Sequence, residues 1–180
     1  EDYAELVNSA DNFLKGKSTE IQEMLAAISQ LRHQTVVVFP NNDAGSEEVR
    51  RVIERSQQPF IRVERTLPRR MYIGLMRMAS VMVGNSSSGL IEAPLFNLPV
   101  VNVGSRQRGR YRGQNVIDVM PDRNAIQAAL ARALEPDFRM RLKDQIGMPY
   151  WGDGQVSKRI VNVLNDVAID EKLLKKQLSF

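Results

Sequence analysis

Short β-branched runs recur along the chain and alternate with stretches whose apolar residues return every three or four positions. The strand pattern falls on Thr35 to Phe39, Phe60 to Val63, Val81 to Val83, Val100 to Val103 and Val116 to Val119. Helical spacing lies between them, over Ile21 to Leu31, Ser46 to Ser56, Arg69 to Ala79, Gly89 to Phe96, Asp122 to Leu134 and Pro136 to Ile146. Thr19 and Gln22 have the spacing of a capping box ahead of the first helix, and Pro68 suits a first helical turn. The methionine stripe of the Arg69 helix reads as core rather than cofactor pocket. Strands alternating with helices predict an α/β chain, a doubly wound Rossmann-like parallel sheet that takes ligands at the carboxyl ends of its strands.

Within that pattern, Val81 to Gly104 reads strand, turn, helix, strand, which is a parallel βαβ unit. Its turn, Gly84-Asn-Ser-Ser-Ser-Gly89, combines short hydroxyl and amide side chains with glycines that let a ligand approach the backbone. A helix start with unpaired N–H groups attracts anions, so a diphosphate is one candidate ligand and simple helix capping by the serines is the other. Glu92 is expected on the first turn of the following helix. A carboxylate there repels a neighbouring phosphate but can accept from a ribose diol, with a solvated helix charge as the plainer reading. After the next strand, Gly104-Ser-Arg-Gln-Arg-Gly-Arg-Tyr-Arg112 places arginines at every second position. Arg106, nearest the strand end, is the best placed to meet a diphosphate, whereas Arg108, Arg110 and Arg112 read equally well as a solvated basic loop.

The run VGNSSSGLIEAPLFNLPVVNVGSRQRGR, with Phe39-Pro-Asn-Asn-Asp-Ala-Gly-Ser46 upstream, resembles the hydrolysing UDP-N-acetylglucosamine 2-epimerase family from about Thr35 to the end of the chain. The resemblance implies the C-terminal half of a GT-B-like fold of two Rossmann-like domains. It implies that Ser86 and Ser87 hold phosphates, Glu92 the ribose hydroxyls and Arg106 the diphosphate. Asn41 would border the sugar or a regulatory site, and backbone near Leu67 and Pro68 would hold the uracil. It also implies that the proton-abstracting carboxylates belong to an N-terminal domain, so this chain alone is expected to be inactive. No catalytic residue is expected here beyond leaving-group stabilisation by Arg106. The implied partners are UDP or UDP-N-acetylglucosamine, the N-terminal domain of the same protein and further copies in a homo-oligomer. The family's C-terminal domain begins with a strand, and this chain opens instead on the polar Glu1-Asp2-Tyr-Ala-Glu5, so that first strand and the N-terminal domain are expected to be absent. Met148-Pro-Tyr-Trp-Gly-Asp-Gly154 resembles the family's turn before its last helix, with Tyr150 and Trp151 as interdomain packing.

Composition narrows the alternatives. The 180 residues, 43% apolar but only 6% aromatic, suit one domain with an aliphatic core, expected over residues 1–169 with a tail at 170–180. The chain has no cysteine, which excludes disulfides and thiolate-held metal, and no His/Asp/Glu cluster has ligand spacing, so neither metal nor cofactor is expected. His33 lies in a helix-to-strand connection and reads as structural. No signal peptide or membrane-spanning run is visible, and the expected location is the cytoplasm. A net charge of +4 is mild. A nucleic-acid surface on Arg106 to Arg112 therefore ranks last, because only Tyr111 offers a stacking ring beside those arginines. The nucleotide-binding domain of a GT-B glycosyltransferase and a non-catalytic sugar-nucleotide module remain the competing readings.

Overall fold

The computed structural model describes residues 19–40, 45–143 and 154–171. The chain divides into two compact units, Glu1–Asp144 and Gln145–Phe180. In the first, α1 (19–31) leads to β1 (Thr35–Val38), α2 (Ser46–Arg55), β2 (Ile61–Glu64) and α3 (Arg69–Met78). These are followed by β3 (Met82–Gly84), α4 (Ser88–Ile91), a 3₁₀ turn (Ala93–Phe96), β4 (Val100–Val103), β5 (Val116–Val119), α5 (Arg123–Leu134) and α6 (Pro136–Lys143). Each predicted strand is present within a residue or two. All the pairings are parallel, in a β1-β2 ladder and a β3-β4-β5 ladder, with no strand joining the two among the described residues.

β4 is the centre of the three-stranded ladder and is buried along its whole length, as a parallel strand covered on both faces must be. Its alternate side chains go to opposite layers. Val101 and Val103 pack with Met24 and Ala27 of α1 and with Ile126, Ala129, Leu130 and Ala133 of α5. Val100 packs with Met76 of α3, Ala93 and Leu98. Helices thus cover both faces, the doubly wound arrangement that the alternating pattern predicts. Asp122 caps α5 by accepting from the Ala125 N–H at 2.8 Å, and Glu23 of α1 accepts from the Arg123 N–H at 3.1 Å.

Three local expectations change. α1 is already helical at Thr19, so Thr19 and Gln22 are not its capping box; the same spacing also occurs inside helices, where positions three apart share a face. The methionines of α3 divide: Met76 is core, but Met71 and Met78 are exposed, because only one stripe of an amphipathic helix faces the sheet. The single helix expected from Gly89 to Phe96 is two short pieces joined at Glu92. Pro94 explains the break, since it has no N–H to donate back to Leu90 and its ring collides with the preceding turn.

The β3-α4-β4 unit is held very tightly. A Cβ on Gly89 would lie 2.8 Å from Val100 Cγ1, so α4 approaches β4 more closely than any other residue permits. Asn115, buried ahead of β5, donates from Nδ2 to the Leu98 carbonyl at 3.0 Å and, more weakly, to Gly89 at 3.4 Å.

In the second unit, α7 (Val156–Asp166) carries exposed Ile160, Val163 and Leu164. The segment 148–153, with Tyr150 and Trp151, and the tail beyond 171 lie outside the described residues.

Gly89→Ala sets overpacking against helix propensity. Alanine gains about 1 kcal/mol of propensity, while forcing a methyl against the stiff, fully buried Val100 costs about 1–3 kcal/mol. The expected outcome is a net loss of stability, read as a lower urea midpoint at unchanged slope. A midpoint equal to or above wild type would contradict the close approach.

Candidate functional site

β3 and β4 are neighbours in register, with Gly84 opposite Asn102, so the loops that leave their carboxyl ends start side by side. Both exits use glycine at positive φ, +146° at Gly84 and +80° at Gly104. The two have different surroundings. A Cβ on Gly104 would strike Glu20 Oε1 of α1 at 2.5 Å, whereas one on Gly84 would meet nothing within 4 Å. The φ of Gly104 is what calls for glycine, since the flexible Glu20 side chain could give way, and Gly84 has open space beside its Cα.

The two loops are joined directly. Gln107, buried in the arginine-rich loop, donates from Nε2 to the carbonyl of Asn85 at 2.7 Å. Asn85 in turn donates from Nδ2 to Glu20 Oε2 at 3.2 Å. Ser86 and Arg106 each flank a residue of the Gln107–Asn85 hydrogen bond, so the backbones that carry these two predicted phosphate-binding side chains are tied together. Arg106 is exposed and lies on the turn that follows β4.

The serines of the turn differ in their use as caps. Ser86 Oγ accepts from the Ser88 N–H at 3.3 Å, a local capping bond. Ser87 occupies the N-cap position of α4 but makes no side-chain cap bond, so its hydroxyl is not committed to the helix. Capping, the plainer reading of NSSSG, thus holds at Ser86.

Glu92 departs from expectation. It is not on a first helical turn but at the carboxyl end of α4, where its N–H donates to Ser88 at 2.9 Å and its carbonyl accepts from Leu95 at 3.1 Å. Its side chain, 19% exposed, lies 3.1 Å from Arg69 Nη1 at the start of α3. Leu67 is half-buried just ahead of that helix. The Pro68 carbonyl accepts the Met71 and Tyr72 N–H groups at 2.9 and 3.0 Å. Proline has no N–H of its own, so of this pair Leu67 alone carries a backbone donor. Asn41 lies outside the described residues, and His33 is exposed.

The arginines of the second loop have distinct roles. Arg112 is structural: Nη2 donates to Gln107 and Nη1 to Arg110, each at 3.0 Å. Its Nε lies 2.6 Å from Asp118 Oδ2, an ion pair whose N–H is not aligned on the oxygen. Asp118 also accepts from Asn102 Nδ2 at 2.6 Å, which ties β4 to β5 beneath the loop. Arg108 and Arg110 are exposed. Asn102, Gln107, Asn115 and Asp118 were not singled out from the sequence. A polar residue inside the VVNV run was the available signal, since a buried polar side chain needs partners and commonly organises a loop. Among the described residues no three His, Asp or Glu side chains are grouped to hold a metal ion, and no helix is long and apolar enough to cross a membrane.

The family profile described as UDP-N-acetylglucosamine 2-epimerase matches residues 10–165. The UDP-N,N'-diacetylbacillosamine 2-epimerase (hydrolyzing) of Legionella pneumophila is 37% identical over 158 residues, covering 87% of this chain and 40% of that protein. The polysialic acid biosynthesis protein P7 of Escherichia coli is 36% identical over 110 residues, covering 59% and 28%. The UDP-N-acetylglucosamine 2-epimerase of Neisseria meningitidis is 36% identical over 95 residues, covering 49% and 24%. The chain therefore spans less than half the length of these relatives. A profile match over most of its residues, including both strand-end loops, places the chain in the UDP-N-acetylglucosamine 2-epimerase family.

Proposed function

We propose that this chain is the UDP-gripping half of a hydrolysing 2-epimerase that turns UDP-N-acetylglucosamine into N-acetylmannosamine and UDP for sialic-acid-type sugar synthesis. The observation that carries the reading is the 2.7 Å hydrogen bond from Gln107 to Asn85, which ties the serine turn to the loop that carries Arg106. Ser87 and Arg106 take the diphosphate, and Glu92 accepts from the ribose hydroxyls. In the reaction, the sugar loses its C2 proton and the C1–O bond to UDP breaks. The electron pair of that bond leaves with the diphosphate, and water then adds across the resulting C1–C2 double bond. Negative charge grows on the diphosphate as the bond breaks, so a guanidinium and hydroxyl donors already in place lower the barrier. Proton removal falls to a carboxylate of the N-terminal domain, and the complete protein works in the cytoplasm as a homo-oligomer.

A second reading concerns the sugar. The Legionella relative is named for a UDP-diacetamido sugar, so that substrate is the alternative to UDP-N-acetylglucosamine. Feeding both to the full-length protein and identifying the released sugar decides between them.

Two outcomes are expected for the chain alone. It should bind UDP yet release no N-acetylmannosamine from UDP-N-acetylglucosamine; measurable release would overturn the division of labour. Arg106→Ala should weaken UDP by about tenfold or more and Ser87→Ala by about three- to tenfold, from the energies of charged and neutral hydrogen bonds. Calorimetric titration checks both, and unchanged affinity in Arg106→Ala would remove that arginine from the site. A steep salt dependence with no preference for UDP over single-stranded RNA would favour a nucleic-acid surface instead.

A further inference from the structure

Arg69 sits at the wrong end of its helix. Arg69 opens α3, whose first turn holds no acidic residue, so its cation stands at the positive end of the helix dipole. Glu92 lies where α4 passes into the 3₁₀ turn, at the end of one and the start of the other. The placement of Arg69 does not help its own helix, and such a local conflict is expected where a site rather than stability sets the residue. The two charges meet at 3.1 Å, and the burial is unequal: the Glu92 side chain is 19% exposed and that of Arg69 is 80% exposed. A mostly buried carboxylate needs a partner, and here the partner reaches it from the solvent side.

The contact is single. Arg69 Nη1 engages Glu92 Oε1, rather than the bidentate fork that an arginine and a carboxylate can form. Among the described residues this leaves Oε2 for a vicinal diol, which needs one acceptor held at a fixed angle. The Glu92 backbone is fixed by bonds on both sides, so the carboxylate direction is the remaining variable and Arg69 sets it. Arg69 also follows Leu67, the backbone donor of the Leu67–Pro68 pair.

We propose that Arg69 is a positioning residue of the nucleotide site: its ion pair aims Glu92 at the ribose diol and confers discrimination for a nucleotide with free 2′ and 3′ hydroxyls. This rests on the reading of Glu92 as the ribose acceptor. A purely structural surface pair would change fold stability slightly and leave that discrimination alone.

The test compares UDP with 2′,3′-dideoxy-UDP on the chain, its Arg69→Ala, Arg69→Lys and Glu92→Gln variants, and the Arg69→Ala/Glu92→Gln pair. Wild type is expected to prefer UDP by about tenfold, the size of a hydrogen bond to a charged acceptor. Arg69→Ala should lose most of that preference through weaker UDP binding, with the dideoxy analogue within about twofold of wild type, and Arg69→Lys should restore part of it. In the Glu92→Gln background, Arg69→Ala should change nothing further. The inference is overturned if Arg69→Ala weakens both nucleotides equally, which would mean direct contact with base or phosphate, or if the preference persists or grows. Wild-type binding of both nucleotides with equal strength would instead remove Glu92 as the ribose acceptor, and binding of neither would remove the site itself. Each of those results also ends the role given to Arg69.

Discussion

The site depends on one buried amide. Gln107 reaches from the loop after β4 to the carbonyl of Asn85 in the turn after β3. A hydrogen bond of this kind contributes about 1 kcal/mol net, yet leaving its buried partner unsatisfied costs about 1–3 kcal/mol. The asymmetry makes it a constraint on geometry more than a source of stability. With it in place, the turn that carries the serines and the loop that carries Arg106 are held to each other.

Everything beneath the amide keeps it in register. Arg112 donates to the Gln107 carbonyl from below while pairing with Asp118, and Asp118 accepts from Asn102 in the middle of β4. On the other side, Asn85 reaches Glu20 of α1, the same residue against which Gly104 packs. A continuous polar path therefore runs from β5 through both strand ends to the first described helix. It lies over the apolar packing of β4 between α1, α5 and α3. Preorganisation of this kind matters for a leaving-group site, because donors that need not reorient stabilise developing charge at little further cost.

How much of this was legible in the sequence follows from how local each feature is. The five strands were legible because β-branched runs bounded by turn residues leave few other structures open to them. The strand-end position of NSSSG and of Arg106 then followed from the parallel βαβ rule. The break at Pro94 was also written in the sequence, and a helix drawn through that proline ignored the missing N–H. Position set Arg106 apart from the other arginines, but the inward turn of Arg112 was not legible. Arg106 and Arg112 share a basic loop, and only the fold reveals that Arg112 turns inward to Asp118 while Arg106 stays on the surface. Nor was the Arg69–Glu92 pair, which joins residues far apart in the chain through the packing of α3 beside the 3₁₀ turn.

The central claim is that the turn after β3 and the loop after β4 act as one receptor for a nucleoside diphosphate. Two-dimensional amide NMR of the chain during titration with UDP tests it most directly. The account predicts that the amides of Ser86 to Leu90 and of Ser105 to Arg108 shift together, along a single saturation curve. Shifts confined to one loop, or dispersed spectra indifferent to UDP, would contradict it.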